Sequence, residues 1–77
     1  MSDKKVHLEL SRDEALVFFE WLARFNKATD QRFADQAEQR VLWNLEAMLE
    51  SELAEPFASD YDELLAAARS RVRDPQE

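Results

Sequence analysis

The chain begins with a short alternation of apolar and polar residues. Between positions 5 and 10, Val6, Leu8 and Leu10 alternate with Lys5, the single histidine and a glutamate. Successive side chains of a strand point to opposite faces, so this pattern predicts a half-buried β-strand over residues 5–10. No second strand pattern occurs in the sequence, and both edges of this strand would therefore need a partner from elsewhere.

The next segment has the pattern of a helix with a wide apolar surface. Ser11 and Glu14 have the spacing of a capping box, in which each side chain accepts a hydrogen bond from the backbone N–H of the other residue. This predicts a helix over residues 12–27. At about 100° per residue its polar side chains fall in one narrow sector, and apolar side chains fill the rest. Such a helix is typical of the centre of a small fold.

Two further helices are predicted, over residues 33–55 and 60–73. In the first, Val41 and Leu45 belong to an apolar stripe that recurs every three or four residues, and Pro56 ends the helix. In the second, a Ser-Asp pair stands at the N-cap and three arginines lie near the C-terminal end. The sequence therefore predicts a mainly α fold of three helices with one short N-terminal strand.

Length and composition indicate a single small domain over residues 1–77. Hydrophobic residues make up 45% of the chain, too many for a disordered segment despite 35% charged residues. The chain has no glycine, which rules out glycine-rich phosphate or dinucleotide loops. It has no cysteine, as is common in a reducing cytoplasm, and no apolar run near the roughly 20 residues of a membrane span. We therefore expect a cytoplasmic protein that does not bind membranes.

The lone strand predicts association with another chain. The simplest partner is a second copy, because a twofold axis would pair the two strands as an antiparallel ribbon. Helix one of each copy would then bury its excess apolar surface, so we expect a homodimer. Two alternatives stay open. Residues 1–10 could lie as an arm on the helices, with Val6, Leu8 and Leu10 packed singly, or the strand could extend another protein's sheet.

The chain offers little for catalysis or metal binding. His7 is the only histidine, and no serine stands with a base in a nucleophile pattern. Glu46 and Glu50 lie one helical turn apart, but the Glu-x-x-His pattern of helical di-metal sites is absent. We expect no catalytic residue, no cofactor and no metal, and the protein is predicted not to be an enzyme.

Most of the charge imbalance lies in one stretch. Between Val41 and Ala68 there is no lysine or arginine, and the carboxylates equal the net charge of −7. The seven members of this acidic region are Glu46, Glu50, Glu52, Glu55, Asp60, Asp62 and Glu63. An acidic surface can steer a basic protein partner, or it can simply keep a small protein soluble. The same charge disfavours direct nucleic-acid binding by this chain.

A second function class follows from the acidic region. Carboxylates spaced along a helix can stand in for phosphates and occupy a basic groove. The protein would then be a DNA-mimic inhibitor or immunity protein that blocks a nuclease, restriction or CRISPR-type complex. Rows of exposed carboxylates would favour this mimicry, whereas an exposed apolar anchor beside the acids would favour an interaction module.

Trp43 is the first candidate for such an anchor. On the helical wheel it lies opposite the stripe of Val41 and Leu45, beside Arg40. Tryptophan and arginine are enriched in binding hot spots, which makes Trp43 with Arg40 a candidate interface pair and Trp21 a further candidate. The alternative is that Trp43 packs beneath the N-terminal arm, the third helix or the other subunit of a dimer.

Six stretches of the sequence form a recognisable pattern, namely DEALV at 13–17, FEW at 19–21, AEQRVLWNLE at 37–46, EPF at 55–57, Tyr61, and LLAAAR at 64–69. Together they resemble a family of short, stand-alone bacterial proteins that has no assigned activity. The resemblance covers most of residues 8–73 and includes no catalytic signature. It implies a bacterial cytoplasmic protein, and it supplies no substrate, partner or binding residue.

The predicted ribbon can be tested with Leu8→Pro. Proline has no backbone N–H and removes a ladder hydrogen bond, so we expect the variant to be a monomer where the wild type is a dimer. Light scattering of the two proteins at equal concentration measures this. A dimer that survives the substitution would place the interface on the helices instead.

Overall fold

Three α-helices form most of the protein, as the sequence predicts. The computed structural model describes residues 4–28 and 32–74. The elements are α1 at Arg12–Lys27, α2 at Gln36–Glu52, a 3-10 turn at Glu55–Phe57 and α3 at Tyr61–Arg73. No described residue has a positive φ angle, which suits a chain without glycine. No described helix has the length and hydrophobicity needed to cross a membrane.

The predicted capping box at the start of α1 is confirmed. The Ser11 hydroxyl accepts from the backbone N–H of Glu14 at 3.0 Å, and the Glu14 carboxylate accepts from the Ser11 N–H at 2.9 Å. Asp13 and Glu14 lie at the positive end of the helix dipole, while Arg24 and Lys27 lie at the negative end. Local sequence alone therefore accounts for where this helix begins.

The second helix is shorter at both ends than the predicted range 33–55. Asp35 caps it, because its carboxylate accepts from the Ala37 N–H at 2.7 Å, a contact that Phe33 cannot make. At the other end, Leu53 leaves the helix with φ −112° and ψ 132° and packs in the core. Pro56 is the second residue of the 3-10 turn Glu55–Phe57, so α2 ends before it and the expectation that Pro56 ends this helix is wrong.

The third helix begins one residue after the predicted position 60. Asp60 is its N-cap by position, and its backbone carbonyl accepts from Glu63 and Leu64 at 3.1 and 3.0 Å. Its side chain forms no capping hydrogen bond, so the predicted side-chain cap is wrong. Acidic residues in the first turn still favour the helix through its dipole.

α1 is the central helix of the fold, since it packs against both α2 and α3. The buried cluster joins Leu16 and Phe19 of α1 to Leu53 and, from α3, to Leu65 and Ala68. α1 also contributes a further leucine, at position 22, that is fully buried. The core is small, and α2 contributes no buried residue to it, although the partly buried Leu49 of α2 packs against it.

The polar sector of α1 faces α3. Arg71 donates two hydrogen bonds to the Asp13 carboxylate, at 2.7 and 2.9 Å. The Tyr61 hydroxyl donates to the Glu20 carboxylate at 2.7 Å. The contact at the start of α1 is with the end of α3, and the contact further along α1 is with the start of α3. α3 therefore runs antiparallel to the N-terminal half of α1.

The N-terminal segment has no regular secondary structure in the single chain. No strand occurs among residues 4–28 and 32–74, and the predicted strand over 5–10 has no second strand within the chain to pair with. Val6 is 89% exposed and Leu8 82% exposed, so the helices of the same chain do not bury them. Pairing of this segment across a homodimer stays a prediction.

The Tyr61 contact predicts a loss of stability at high pH. Burial, followed by the hydrogen bond to Glu20, raises the pKa of Tyr61 above its ordinary value of 10.0. The unfolded chain therefore loses this proton first, so stability is fully present below pH 10.0 and falls as the pH rises above it. Tyr61 is the only tyrosine, so tyrosinate absorbance reports this group alone.

The matched control for this titration is Glu20→Gln. Because burial is the first cause of the shift, we expect the pKa of Tyr61 to fall part of the way and stay raised in this variant. Titration of Tyr61 near 10.0 in the folded wild-type protein would contradict the packing described for α1 and α3.

Candidate protein-interaction surfaces

A row of aromatic rings follows one side of α1. Phe18 and Trp21 stack with ring centroids 6.4 Å apart, and Trp21 and Phe25 stack at 4.9 Å. Phe33, which precedes α2, meets Phe25 edge to face at 5.8 Å. Trp21 is nevertheless 43% exposed, so the row is only partly covered by the chain itself. The spacing 18, 21, 25 is the sequence signal for this row.

The aromatic row joins two apolar grooves between α1 and α2. One groove lies beside Phe18 and is lined by Val6, Leu8 and Met48 among others. The other lies beside Phe25 and includes Val41. We call the continuous surface the apolar face, and its members are Val6, Leu8, Phe18, Trp21, Phe25, Phe33, Val41, Leu45 and Met48.

The predicted acidic region is not one uniform surface. The Glu46 carboxylate accepts a hydrogen bond from the Asn26 amide at 2.7 Å and is partly buried. The Glu55 carboxylate is bound by Arg12 through two hydrogen bonds, at 2.7 and 3.1 Å. These two carboxylates therefore accept hydrogen bonds from side chains of the same protein that are distant in the sequence.

The other five acids lie in two places. Glu50 and Glu52 are exposed but point to nearly opposite sides of α2, because two residues rotate a helix by about 200°. Asp60, Asp62 and Glu63 are exposed at the start of α3, where the helix dipole favours negative charge. Only the second group forms a local concentration of exposed carboxylates.

Trp43 lies on the far side of α2 from the apolar face. It is 48% exposed, with Arg40 and Glu50 exposed on the same side of the helix. The N-terminal segment lies near Leu45 and Met48, about 140° to 160° around the helix, so it does not cover Trp43. The structure therefore separates the predicted anchors, with Trp21 on the apolar face and Trp43 with Arg40 away from it.

The described residues hold no cluster suited to a metal ion. No group of three or more histidine, aspartate or glutamate side chains within residues 4–28 and 32–74 is placed to bind one. The one buried side-chain atom there without a hydrogen-bond partner is the Asn26 carbonyl oxygen, whose amide group already donates to Glu46. This pair links α1 to α2 and exposes no reactive group.

Comparisons with protein-family models, with curated proteins and with solved structures find no match to this chain.

The Arg12–Glu55 pair predicts how one acid in this region titrates. Its hydrogen bonds lower the pKa of Glu55 below the ordinary value of 4.5, so the stability it adds is lost as the pH falls through the lowered pKa. We expect Arg12→Gln to raise this pKa toward 4.5, as measured by carboxyl NMR titration.

Arg71→Gln is the matched control, because Arg71 lowers the pKa of Asp13 in the same way. This second substitution should raise the pKa of Asp13 and leave that of Glu55 unchanged. A Glu55 carboxyl that titrates alike in the wild type and in Arg12→Gln would contradict the contact.

Proposed function

We propose that the protein is a small, non-enzymatic interaction module of a bacterial cytoplasm, and that it acts as a homodimer on a basic protein partner. The observation that supports this most is the half-exposed Trp43 beside Arg40 and Glu50 on an outward side of α2. Trp and Arg are the residues that most often dominate binding energy. The apolar face on the other side of α2 is left for the second copy.

Long-range charge supports a basic partner. The net charge of −7 attracts a positive surface and raises the association rate, while the short-range energy comes from burying Trp43. Glu50 stands close enough on the helix to pair with a lysine or arginine of the partner as the tryptophan is covered. Salt should therefore weaken binding mainly through the association rate.

Mimicry of nucleic acid has less support from the geometry. A phosphate-like row needs carboxylates at regular intervals on one exposed face. Glu46 and Glu55 are held by Asn26 and Arg12, and Glu50 and Glu52 diverge around α2. We keep mimicry as the alternative, because the acids at the start of α3 remain exposed.

The test begins with capture of partners from a bacterial lysate and continues with the purified partner. We expect a basic protein whose affinity falls as salt rises from about 50 to 300 mM. Trp43→Ala should weaken its binding by about tenfold or more, as measured by calorimetry. The matched control is Phe57→Ala, which removes another exposed aromatic ring at a different site and should leave affinity unchanged.

Two outcomes would count against this proposal. Equal binding by the wild type and Trp43→Ala would remove the anchor from the interface. Loss of inhibition of a nucleic-acid-binding target in the triple variant Asp60→Asn, Asp62→Asn, Glu63→Gln, with Trp43→Ala still active, would favour mimicry instead.

A further inference from the structure

The apolar face is only partly covered by the described chain, and Val6, Leu8, Trp21, Val41 and Met48 within it are exposed. It brings an N-terminal segment without regular structure together with the aromatic row of α1 and with α2, a helix that has no buried residue. We infer that a second copy covers this face by pairing residues 5–9 of the two chains antiparallel, about a twofold axis through His7. This inference rests on the homodimer proposed above and specifies its register.

The alternation of the segment restricts the register. In an antiparallel pair, directly opposed side chains lie on the same face of the ribbon. If the twofold axis passed between two residues, for example between His7 and Leu8, each apolar side chain would lie opposite a polar one. Both faces of the ribbon would then mix apolar with polar side chains. An axis that passes through a residue keeps the apolar side chains of both copies on one face of the ribbon. The axis therefore lies at Val6, His7 or Leu8.

Charge favours the axis at His7. In that register Lys5 of each copy lies opposite Glu9 of the other, which gives two pairs of opposite charge, and Val6 lies opposite Leu8. An axis at Val6 would instead oppose Lys5 to His7, which gives no such pair. An axis at Leu8 would oppose Glu9 to His7 and leave Lys5 opposite Ser11.

Exposure in the single chain favours the same register. Leu10 is 46% exposed, against 89% for Val6 and 82% for Leu8, so its own chain already covers much of it. The two side chains that most need a partner are therefore Val6 and Leu8. An axis at His7 places these two side chains opposite each other. An axis at Leu8 would instead place Val6 opposite Leu10, which its own chain already covers in part.

The arrangement also keeps negative charge away from the contact. Two copies with net charge −7 repel, so a stable dimer needs an interface that lies away from most of the acids. Glu50 lies on the far side of α2, and Glu55 is neutralised locally by Arg12. Glu52 borders the groove beside the N-terminal segment and Glu38 borders the groove beside Phe25, so these are the two exposed acids of α2 that the second copy would approach.

Single cysteines test the register directly, because the chain has none of its own. Opposed residues of an antiparallel pair have Cα atoms about 4.5–5.5 Å apart, within the range that a disulfide spans. We expect His7→Cys to form a covalent dimer on mild oxidation, roughly tenfold more than Val6→Cys or Leu8→Cys alone. A mixture of Val6→Cys with Leu8→Cys should crosslink as a heterodimer.

A charge exchange gives an independent check. Lys5→Glu and Glu9→Lys should each weaken the dimer about tenfold, because each places like charges opposite one another twice. Mixing the two variants restores opposite charges at both pairs, so the mixture should form a heterodimer at wild-type affinity. Ultracentrifugation at low salt measures both results.

The outcomes separate this register from the homodimer itself. A wild-type protein that is monomeric by light scattering at high micromolar concentration would overturn both. A dimer in which Leu8→Cys crosslinks best would place the axis at Leu8 and overturn the register alone. A dimer that none of the three cysteine variants crosslinks would move the interface away from residues 5–9.

Discussion

The contact between α1 and the residues on both sides of it is the interaction on which the fold depends. Leu16 and Phe19 meet Leu53, Leu65 and Ala68 in one small cluster, so a single helix supplies the shared wall for both neighbours. Among the three helices, α1 is the one that packs extensively against both of the others. The outer helices α2 and α3 each pack one side against α1. Their other sides face solvent and form most of the surface that can contact other molecules.

α2 has the more unusual position of the two outer helices. No residue within it is buried, although apolar side chains occur on two of its sides. Met48 and Val41 belong to the apolar face, and Trp43 lies on the far side. Because the two exposed apolar surfaces lie on different sides of α2, the homodimer and the basic partner that we propose would use separate surfaces.

Local signals predicted both ends of α1 and of α3 to within one residue, but they missed each end of α2 by three residues. The capping box of Ser11 and Glu14 could be read from spacing alone, because both hydrogen bonds form within four residues. The position of Leu53 could not be predicted from local sequence. It leaves α2 because it packs against Leu65 and Ala68, which are distant in the sequence. The range predicted for α2 therefore extended too far at its C-terminal end, while at the other end the Asp35 cap sets a later start than Phe33.

The acidic region shows the same division between local and distant information. Its composition was evident, but the roles of Glu46 and Glu55 depend on Asn26 and Arg12, which are 20 and 43 positions away. A sequence pattern cannot distinguish a carboxylate held by a distant side chain from one open to solvent. The spacing of Phe18, Trp21 and Phe25 places the three rings on one side of α1. The row could not be distinguished in the sequence, because apolar residues occupy most of the circumference of this helix.

The placement of the two tryptophans gives the protein a pair of separate optical reporters. Trp21 stacks within the apolar face and Trp43 stands alone on the opposite side of α2, with none of the described rings stacked on it. Indole emission shifts to shorter wavelength when water is removed from the ring. A chain that keeps only Trp21 would therefore report whether the apolar face becomes covered, and one that keeps only Trp43 would report whether the opposite side of α2 does.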